Sequence, residues 1–537
     1  MIKRIICVIV VTCLSALFSV AQDVPVRGAV SLKIEIDQRS ISQIDSDAIV
    51  IPVFAGEDPS TTVLQGAASE LSAAIKAAVA QKAISGDLYS DASIFAPKGF
   101  ATKRLYFIGT GMEANLNSER LLKLAGTAIK QLRSQQVASL TFLSRGNIDG
   151  VTAARSITEG AILGLFDMGI HKSNGQPAAL KSLRIAGLQG DSAPLKSSVE
   201  RAEAFAHATN FARSITVEPA NFVTPEVMAT HARRIAREGG LEVEIFDERR
   251  MAELGMGGVI AVGKGSANPP RFIALRYRPS RPSATTLALV GKGVCFDSGG
   301  ISLKPGENMY RMKGDMAGGA AVLGAMQIIA RLKPDISVLG IVPAVENMPS
   351  DKAQKPGDVF KNMSGRTVEV FSTDAEGRMI LSDGLSYAVR QGATHIIDIA
   401  TLTGSIRTAL GGTHVGAFAS DDKLFDSLIA ASRLTGESFW RLPIDEDYAQ
   451  QIRSSLVADL NETGGQAGAS VGAKFIEHFA EGRPWIHLDI AGTSWPEIAP
   501  PHLGPGPTGV TVRTLAELTV LLGRGERGSG SSPAKRD

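Results

Sequence analysis

Cysteine is almost missing from this chain. There are three in 537 residues, and two of them, Cys7 and Cys13, fall within the first 21 positions. A chain without those 21 residues keeps Cys295 alone, which excludes an internal disulfide and any cysteine-clustered metal site. Histidine is scarce in a different way. The eight present, His171, His207, His231, His395, His414, His478, His487 and His502, form no H-x-x-x-H or H-E-x-x-H pattern, which argues against a histidine-based zinc centre. Aromatic residues make up only 5%, too few for a base-stacking surface. Charge of one sign is lacking as well: without Lys3 and Arg4, basic and acidic residues are equal in number. Nothing therefore favours nucleic acid or an anionic membrane as partner.

Long apolar runs are also rare, and the exception is at the start. Lys3 and Arg4 precede a nearly unbroken apolar stretch from Ile5 to Val20, and Ser19-Val20-Ala21 supplies small residues where an export peptidase cuts. The stretch is shorter than the roughly 20 residues of a membrane span. Residues 1–21 read as a removable secretory signal, with an exported, periplasmic or secreted destination and no stable membrane anchor once it is removed. Cys13 makes a poor lipoprotein site, because Thr12 precedes it and the apolar run continues beyond.

What remains is long enough for two domains. From about 30 to 190, strand patterns (Leu32–Ile36, Ala48–Phe54, Ala92–Phe95, Arg104–Gly109, Ser139–Leu143 and Ser182–Gly187) alternate with helical patterns near 64–82, 117–134 and 151–166. That alternation predicts a parallel or mixed sheet covered by helices. The expected layout is an N-terminal α/β domain over 22–190, a linker helix over 191–215, a larger α/β domain over 216–522 and a disordered tail over 523–537. In the larger domain Thr224-Pro225-Glu226 reads as a helix start and Gly239-Gly240 as its end. Asp315–Leu332 reads as a helix, and Ile336–Val342 and Thr394–Ala400 as central strands.

The chemistry-bearing stretch is Ser372-Thr373-Asp374-Ala375-Glu376-Gly377-Arg378. Carboxylates at i and i+2 do not share a helix face, but they converge in an extended or open-turn segment. A strand before it (367–371) and a helix after it (379–390) place it where open α/β sheets bind ligands. A second Gly-rich stretch, Gly291-Lys292-Gly293 through Asp297-Ser298-Gly299-Gly300, is followed by Lys304 and Asp315. Four carboxylates in one cleft cannot all ionise unpaired. Divalent cations resolve this, and all-oxygen sites suit Mg, Mn and, with enough carboxylates, Zn. Two further patterns read as structural. Cys295 has no histidine base near it in sequence and reads as an inert buried thiol. Gly258-Val259-Ile260-Ala261-Val262-Gly263-Lys264-Gly265 nearly matches a phosphate-binding loop, but Gly265 stands where a hydroxyl is needed and its interior is too apolar.

Together these segments resemble the leucyl (cytosol-type) aminopeptidase family of two-metal exopeptidases. The family signature N-T-D-A-E-G-R is similar to residues 372–378. So are Val290-Gly291-Lys292-Gly293, Phe296-Asp297-Ser298-Gly299-Gly300, Lys304-Pro305, Met312-Lys313-Gly314-Asp315-Met316, Glu346-Asn347-Met348, Pro356-Gly357-Asp358 and Ala400-Thr401-Leu402-Thr403-Gly404. The likeness spans roughly 200–520. The resemblance implies a smaller, macro-like N-terminal α/β domain and a larger catalytic α/β domain with a mixed central sheet. It implies two divalent ions (Mn or Zn) per subunit: one held by Asp297, Asp374 and Glu376 with the Asp374 carbonyl, the other by Lys292, Asp297, Asp315 and Glu376. Lys292 would ligate as a neutral amine. Lys304 would stabilise the oxyanion and Arg378 would hold a bicarbonate that relays a proton. Met312, Thr401, Gly404 and Ala491 would line the pocket for the first side chain, short peptides would be the substrates, and the assembly would be a homohexamer. Two positions depart from the family pattern: Ser372 replaces the signature's Asn, and Val217 replaces an Asn before Glu218-Pro219. A rival reading, an exported protein of the same fold that binds without catalysis, is disfavoured because all seven of these metal-binding and catalytic positions are intact.

Overall fold

The computed structural model describes residues 31–173 and 180–529. The expected signal at 1–21 and residues 530–537 of the expected tail lie outside them.

Two sheets organise the chain. The first runs in the spatial order Lys33–Asp37, Ser182–Ala186, Ser139–Leu143, Ala48–Val53, Arg104–Gly109, Asp91–Phe95. All its pairs are parallel except the last, where the edge strand Asp91–Phe95 runs antiparallel to Arg104–Gly109. Ala48–Val53 is buried throughout, as a strand covered on both faces must be. Its alternation sends Val50 toward Leu121 and Ile157 on one face, and Ile49 and Ile51 toward Leu71 and Ile75 on the other. The helices are Ser69–Ala80, Ser118–Arg133 and Gly150–Gly164. Asn117 and Asp149 cap the latter two by accepting the N–H of Arg120 and Thr152, which satisfies donors that a helix start leaves unpaired.

The second sheet is mixed, with nine strands. Its axis is the eleven-residue strand Ser337–Asn347. Two consecutive short strands, Thr286–Gly291 and Gly293–Asp297, run parallel to successive parts of it. The break between them falls at Lys292, whose N–H bonds to Ile399 O at 2.9 Å on the neighbouring strand His395–Ala400. Helix Ala317–Leu332 packs on one face and helix Glu376–Arg390 on the other. The first fits closely because its start is glycine: a Cβ on Gly318 would lie 2.1 Å from Ile399 O.

Several boundaries differ from expectation for physical reasons. The helix expected from Asp315 begins at Ala317, after a 3-10 turn over Met309–Gly314, so Asp315 sits on the approach to the helix rather than within it. The phosphate-loop lookalike is a buried helix, Gly257–Gly263, whose Val259 N–H is taken by Asp383 Oδ2 at 2.9 Å. Burial pushes the Asp383 carboxyl up to about 7. The last helix, Val512–Ser529, passes the expected boundary at 522. Val512, Leu515 and Leu518 anchor it in the core, and no proline follows before Pro533. Glycines at 523 and 525 cost only about 1 kcal/mol each, which a helix already nucleated can absorb.

A buried ion network joins the two halves. Arg155 Nε lies 2.7 Å from Glu159 Oε1 and its Nη2 lies 2.9 Å from Glu517 Oε1. Arg513 Nη1 reaches Glu159 Oε2 at 3.0 Å, and Arg201 Nη2 reaches Glu517 Oε2 at 2.8 Å. Glu159 belongs to the first domain and Arg513 and Glu517 to the last helix. Burial opposes the Glu159 charge, but the two guanidiniums prevail and hold its carboxyl below the usual range. Replacing Glu159→Ala leaves two buried cations short of a partner. It should lower unfolding stability by about 3 kcal/mol in denaturant titration, and a loss under about 0.5 kcal/mol, the scale of a neutral surface change, would refute this role for the network.

Candidate metal centre

All four acids of the sequence reading meet at the carboxyl ends of the central strands. Asp297 closes its short strand, Asp315 precedes its helix, and Asp374 lies in a 3-10 turn, Thr373–Ala375, that leads into Glu376 at the start of helix Glu376–Arg390. The Asp374–Glu376 pair thus converges through a turn, not an extended strand, and the preceding strand is short, Thr367–Glu369. One carboxylate oxygen from each of Asp297, Asp374 and Glu376 lies within 4.8 Å of the others, close enough for one cation to bridge.

Two ammonium groups stand among these acids. Lys292 Nζ is 2.8 Å from Glu376 Oε1 and 2.7 Å from Asp315 Oδ2, and it donates a hydrogen bond to Thr401 O at 2.9 Å. Lys304 Nζ is 2.7 Å from Asp297 Oδ2 and also pairs with Asp374. Burial works against both charges, yet the surrounding carboxylates outweigh it and hold both ammoniums above the usual lysine range. Burial, then the neighbouring acids, raises the carboxyls of Asp297 and Asp374, while Asp315 is raised most by burial. Four acids against two ammoniums leave a negative surplus in a largely buried place. Glu376 Oε2 is moreover buried without a hydrogen-bond donor, and Asp315 Oδ2 meets only the Lys292 ammonium that Glu376 Oε1 shares. An unpaired carboxylate oxygen in such a place, amid a surplus of negative charge, is costly unless a cation coordinates it, and the set is chemically suited to divalent metal.

The backbone around the site explains its glycines. A Cβ on Gly377 would lie 2.7 Å from Lys292 Cε and 2.8 Å from its Nζ, so only glycine lets the lysine lie along the helix start. Asn347, to which the sequence reading assigned no role, donates from Nδ2 to Asp297 Oδ1 at 2.8 Å and to Thr373 O at 2.9 Å, tying two acid-bearing segments together. Its place in Glu346-Asn347-Met348 was the available signal. Ser372 caps the turn by accepting the Asp374 N–H at 3.3 Å, the task an Asn performs equally well. Arg378 is buried: Nη1 donates to Glu462 O at 2.6 Å, and Nε has no partner.

Two of the expected pocket residues contact the cluster's Asp315, and the other two adjoin groups bonded by Asp489. Thr401 Oγ1 donates to Asp315 Oδ1 at 2.7 Å, and Met312 O accepts the Asp315 N–H at 3.3 Å. Asp489 binds both remaining walls: Oδ1 accepts the N–H groups of Leu402 and Ala491, each at 3.1 Å, and Oδ2 accepts Thr403 Oγ1 at 2.7 Å, just before Gly404. Cys295 is buried, and burial raises its thiol well above its ordinary range, so it is no nucleophile. Of the histidines in strands, His395 bonds Thr394 Oγ1 at 2.9 Å, and His487 Nδ1 bonds the buried Asp398 at 2.5 Å.

Carboxylates and a lysine gathered at strand ends, with no histidine among them, define the class: an α/β metalloenzyme whose centre is built on oxygen donors. The comparisons carry this further. Residues 210–516 match the model of the cytosol aminopeptidase family catalytic domain, and residues 50–174 match that family's N-terminal domain. A probable cytosol aminopeptidase of Solibacter usitatus is 43% identical over 91% of this chain and 99% of its own length. One of Koribacter versatilis is 39% identical over 92% and 100%. Among solved structures, a mutant form of tomato leucine aminopeptidase aligns with TM-score 0.82 and 33% identity over 92% of this chain and 97% of its own. The bottromycin maturation enzyme BotP in complex with Mn aligns with TM-score 0.79 and 32% identity over 89% and 100%. The chain belongs to the cytosol aminopeptidase family, and it is a metallo-aminopeptidase.

The Gly377 contact yields a test. Gly377→Ala should displace Lys292 and lower kcat by about 10²-fold, the cost of misplacing a reacting group by roughly 1 Å, while circular dichroism and the melting temperature stay close to wild type. Full activity in that variant would show that the lysine's place is not set by this contact.

Proposed function

We propose that this aminopeptidase is exported, acts on short peptides and holds two divalent ions, Mn or Zn, at the carboxylate cluster. Asp297, Asp374 and Glu376 would take one ion, with the Asp374 carbonyl. Lys292, Asp297, Asp315 and Glu376 would take the other, Lys292 as a neutral amine. Once bound, the pair supplies Lewis acidity that activates water and polarises the scissile carbonyl. The observation that carries this reading is the convergence of the Asp297, Asp374 and Glu376 oxygens within 4.8 Å, with a negative surplus and the buried Glu376 Oε2 left without a donor.

The chain's own groups do the rest. Lys304 carries its positive charge at the edge of the cluster, about one-fifth exposed, where a substrate carbonyl can reach it. Asp297 and Asp374 orient that ammonium toward the oxyanion of the tetrahedral intermediate. Arg378 Nε, buried and unpartnered, suits a small anion such as bicarbonate, which would pass the proton from water toward the leaving amine. Met312, Thr401, Gly404 and Ala491 would receive the first side chain, with Asp489 bonding both the loop between Thr401 and Gly404 and the N–H of Ala491.

Export rests on the Lys3-Arg4 pair, the apolar run behind it and the small residues at 19–21. A hexamer is supported by family likeness and by large apolar side chains left in solvent, Leu456 at 99% and Ile498 at 89% exposure, which an assembly can cover.

Two experiments test these points. Lys304→Ala should keep its bound metal, measured by elemental analysis, and lose about 10²–10³-fold in kcat on an aminoacyl amide, the scale of one lost oxyanion donor; unchanged turnover sinks the role. Native mass spectrometry of protein purified from its source should show chains beginning at Gln22 in assemblies of about six. An intact Met1 would refute export, and a monomer would refute the hexamer.

A further inference from the structure

One buried residue outside the cluster touches both ends of its signature loop. The short strand Leu460–Asn461 runs parallel to Thr367–Glu369, with Asn461 opposite Glu369. The next residue, Glu462, is therefore carried alongside the chain just before Ser372, and it is fully buried. Its Oε1 accepts the N–H of Phe371 at 2.7 Å and of Ser372 at 2.6 Å, and its Oε2 lies 2.9 Å from the same Phe371 N–H. Its main-chain oxygen accepts Arg378 Nη1 at 2.6 Å. Asp374 and Glu376 lie between these two anchorages.

We propose that Glu462 is a positioning residue that clamps both ends of the Ser372–Arg378 segment and so sets the spacing at which Asp374 and Glu376 present their oxygens. This rests on the reading that those two acids hold metal. A carboxylate is costly to bury, and a leucine or alanine here would fill space without that cost. It would also leave the Phe371 and Ser372 N–H groups without an acceptor beside the centre. What the site asks of residue 462 is an acceptor oxygen at full side-chain reach. Glutamine retains that oxygen. Aspartate keeps the charge but falls about 1.5 Å short, one backbone-sized bond length. The two substitutions therefore separate positioning from charge.

The experiment uses the full chain, loaded with Mn²⁺, as wild type and as Glu462→Gln, Glu462→Asp and Glu462→Ala. Three quantities are read: Mn²⁺ affinity by calorimetry, kcat and KM on an aminoacyl amide, and melting temperature. Glu462→Gln should stay within about threefold of wild type in affinity and kcat. Glu462→Asp should bind Mn²⁺ about tenfold to a hundredfold more weakly and lose kcat on the same scale, as supporting residues around metal ligands do, with KM nearly unchanged. Aspartate behaving as wild type overturns the proposal, as does glutamine as impaired as alanine, since charge rather than reach would then be what matters. If Glu462→Ala fails to fold, the Gln and Asp pair decides. A wild type that binds no Mn²⁺ overturns the metal reading itself and this inference with it, whereas a wild type that binds Mn²⁺ beside variants that all match it overturns only the clamp.

Discussion

Like charges held close together govern this molecule. Asp297, Asp374 and Glu376 bring oxygens within 4.8 Å of one another at the ends of a buried sheet, and Asp315, from a third stretch of chain, joins them through the Lys292 ammonium it shares with Glu376. Such a cluster opposes its own formation, because each carboxylate raises the free energy of the next and burial removes the water that would screen them. The fold supplies two ammoniums as partial compensation and leaves oxygens for cations to satisfy. Lys292 and Lys304 are placed as opposites: one is enclosed behind the helix start at Gly377, the other partly open to solvent. That difference suits one to a ligand's role and the other to meeting substrate.

The layers around the cluster follow from holding it. The long strand Ser337–Asn347 serves as a rail along which two short strands run in succession, and the break between them turns Lys292 out toward the acids. Asn347 at the end of that rail and Glu462 beyond a short strand each satisfy polar groups on separate segments, and Asp489 at the end of strand Trp485–Asp489 satisfies two on the loop after Ala400. A buried hydrogen-bonding side chain of this kind fixes distance as well as stability. The helices packed on either face carry the apolar core, and the Glu159–Arg513 network fastens the first domain to the last helix.

Much of this was legible in the sequence. The strands Arg104–Gly109 and Ser139–Leu143 were readable to the residue, because short β-branched or aromatic runs between polar breaks leave little choice of boundary. The cap at Thr224 and the left-handed end at Gly240 were equally plain. The misreadings have local causes. For Asp374–Glu376 the sequence left an extended segment and an open turn both standing, because i and i+2 cannot share a helix face, and it is a single turn of 3-10 helix before an α-helix that brings them together. Helix Gly257–Gly263 was invisible as a helix, since its glycines suit a loop until Asp383 supplies the acceptor for its first donors. Strands such as Gly293–Asp297 and Val415–Ala419 carry too many small residues to stand out.

The sequence by itself determined which chemistry was possible: oxygen and amine donors without histidine or a usable thiol, arranged in motifs whose order resembles one family. It also determined the alternation of strands and helices, because side-chain periodicity is a property of the chain. Only the tertiary structure decided how those donors meet. Distances between carboxylates, the placing of Lys292 against Gly377 and the clamping of residues 371–378 by Glu462 depend on contacts between segments tens of residues apart, and no local propensity encodes a separation of that kind.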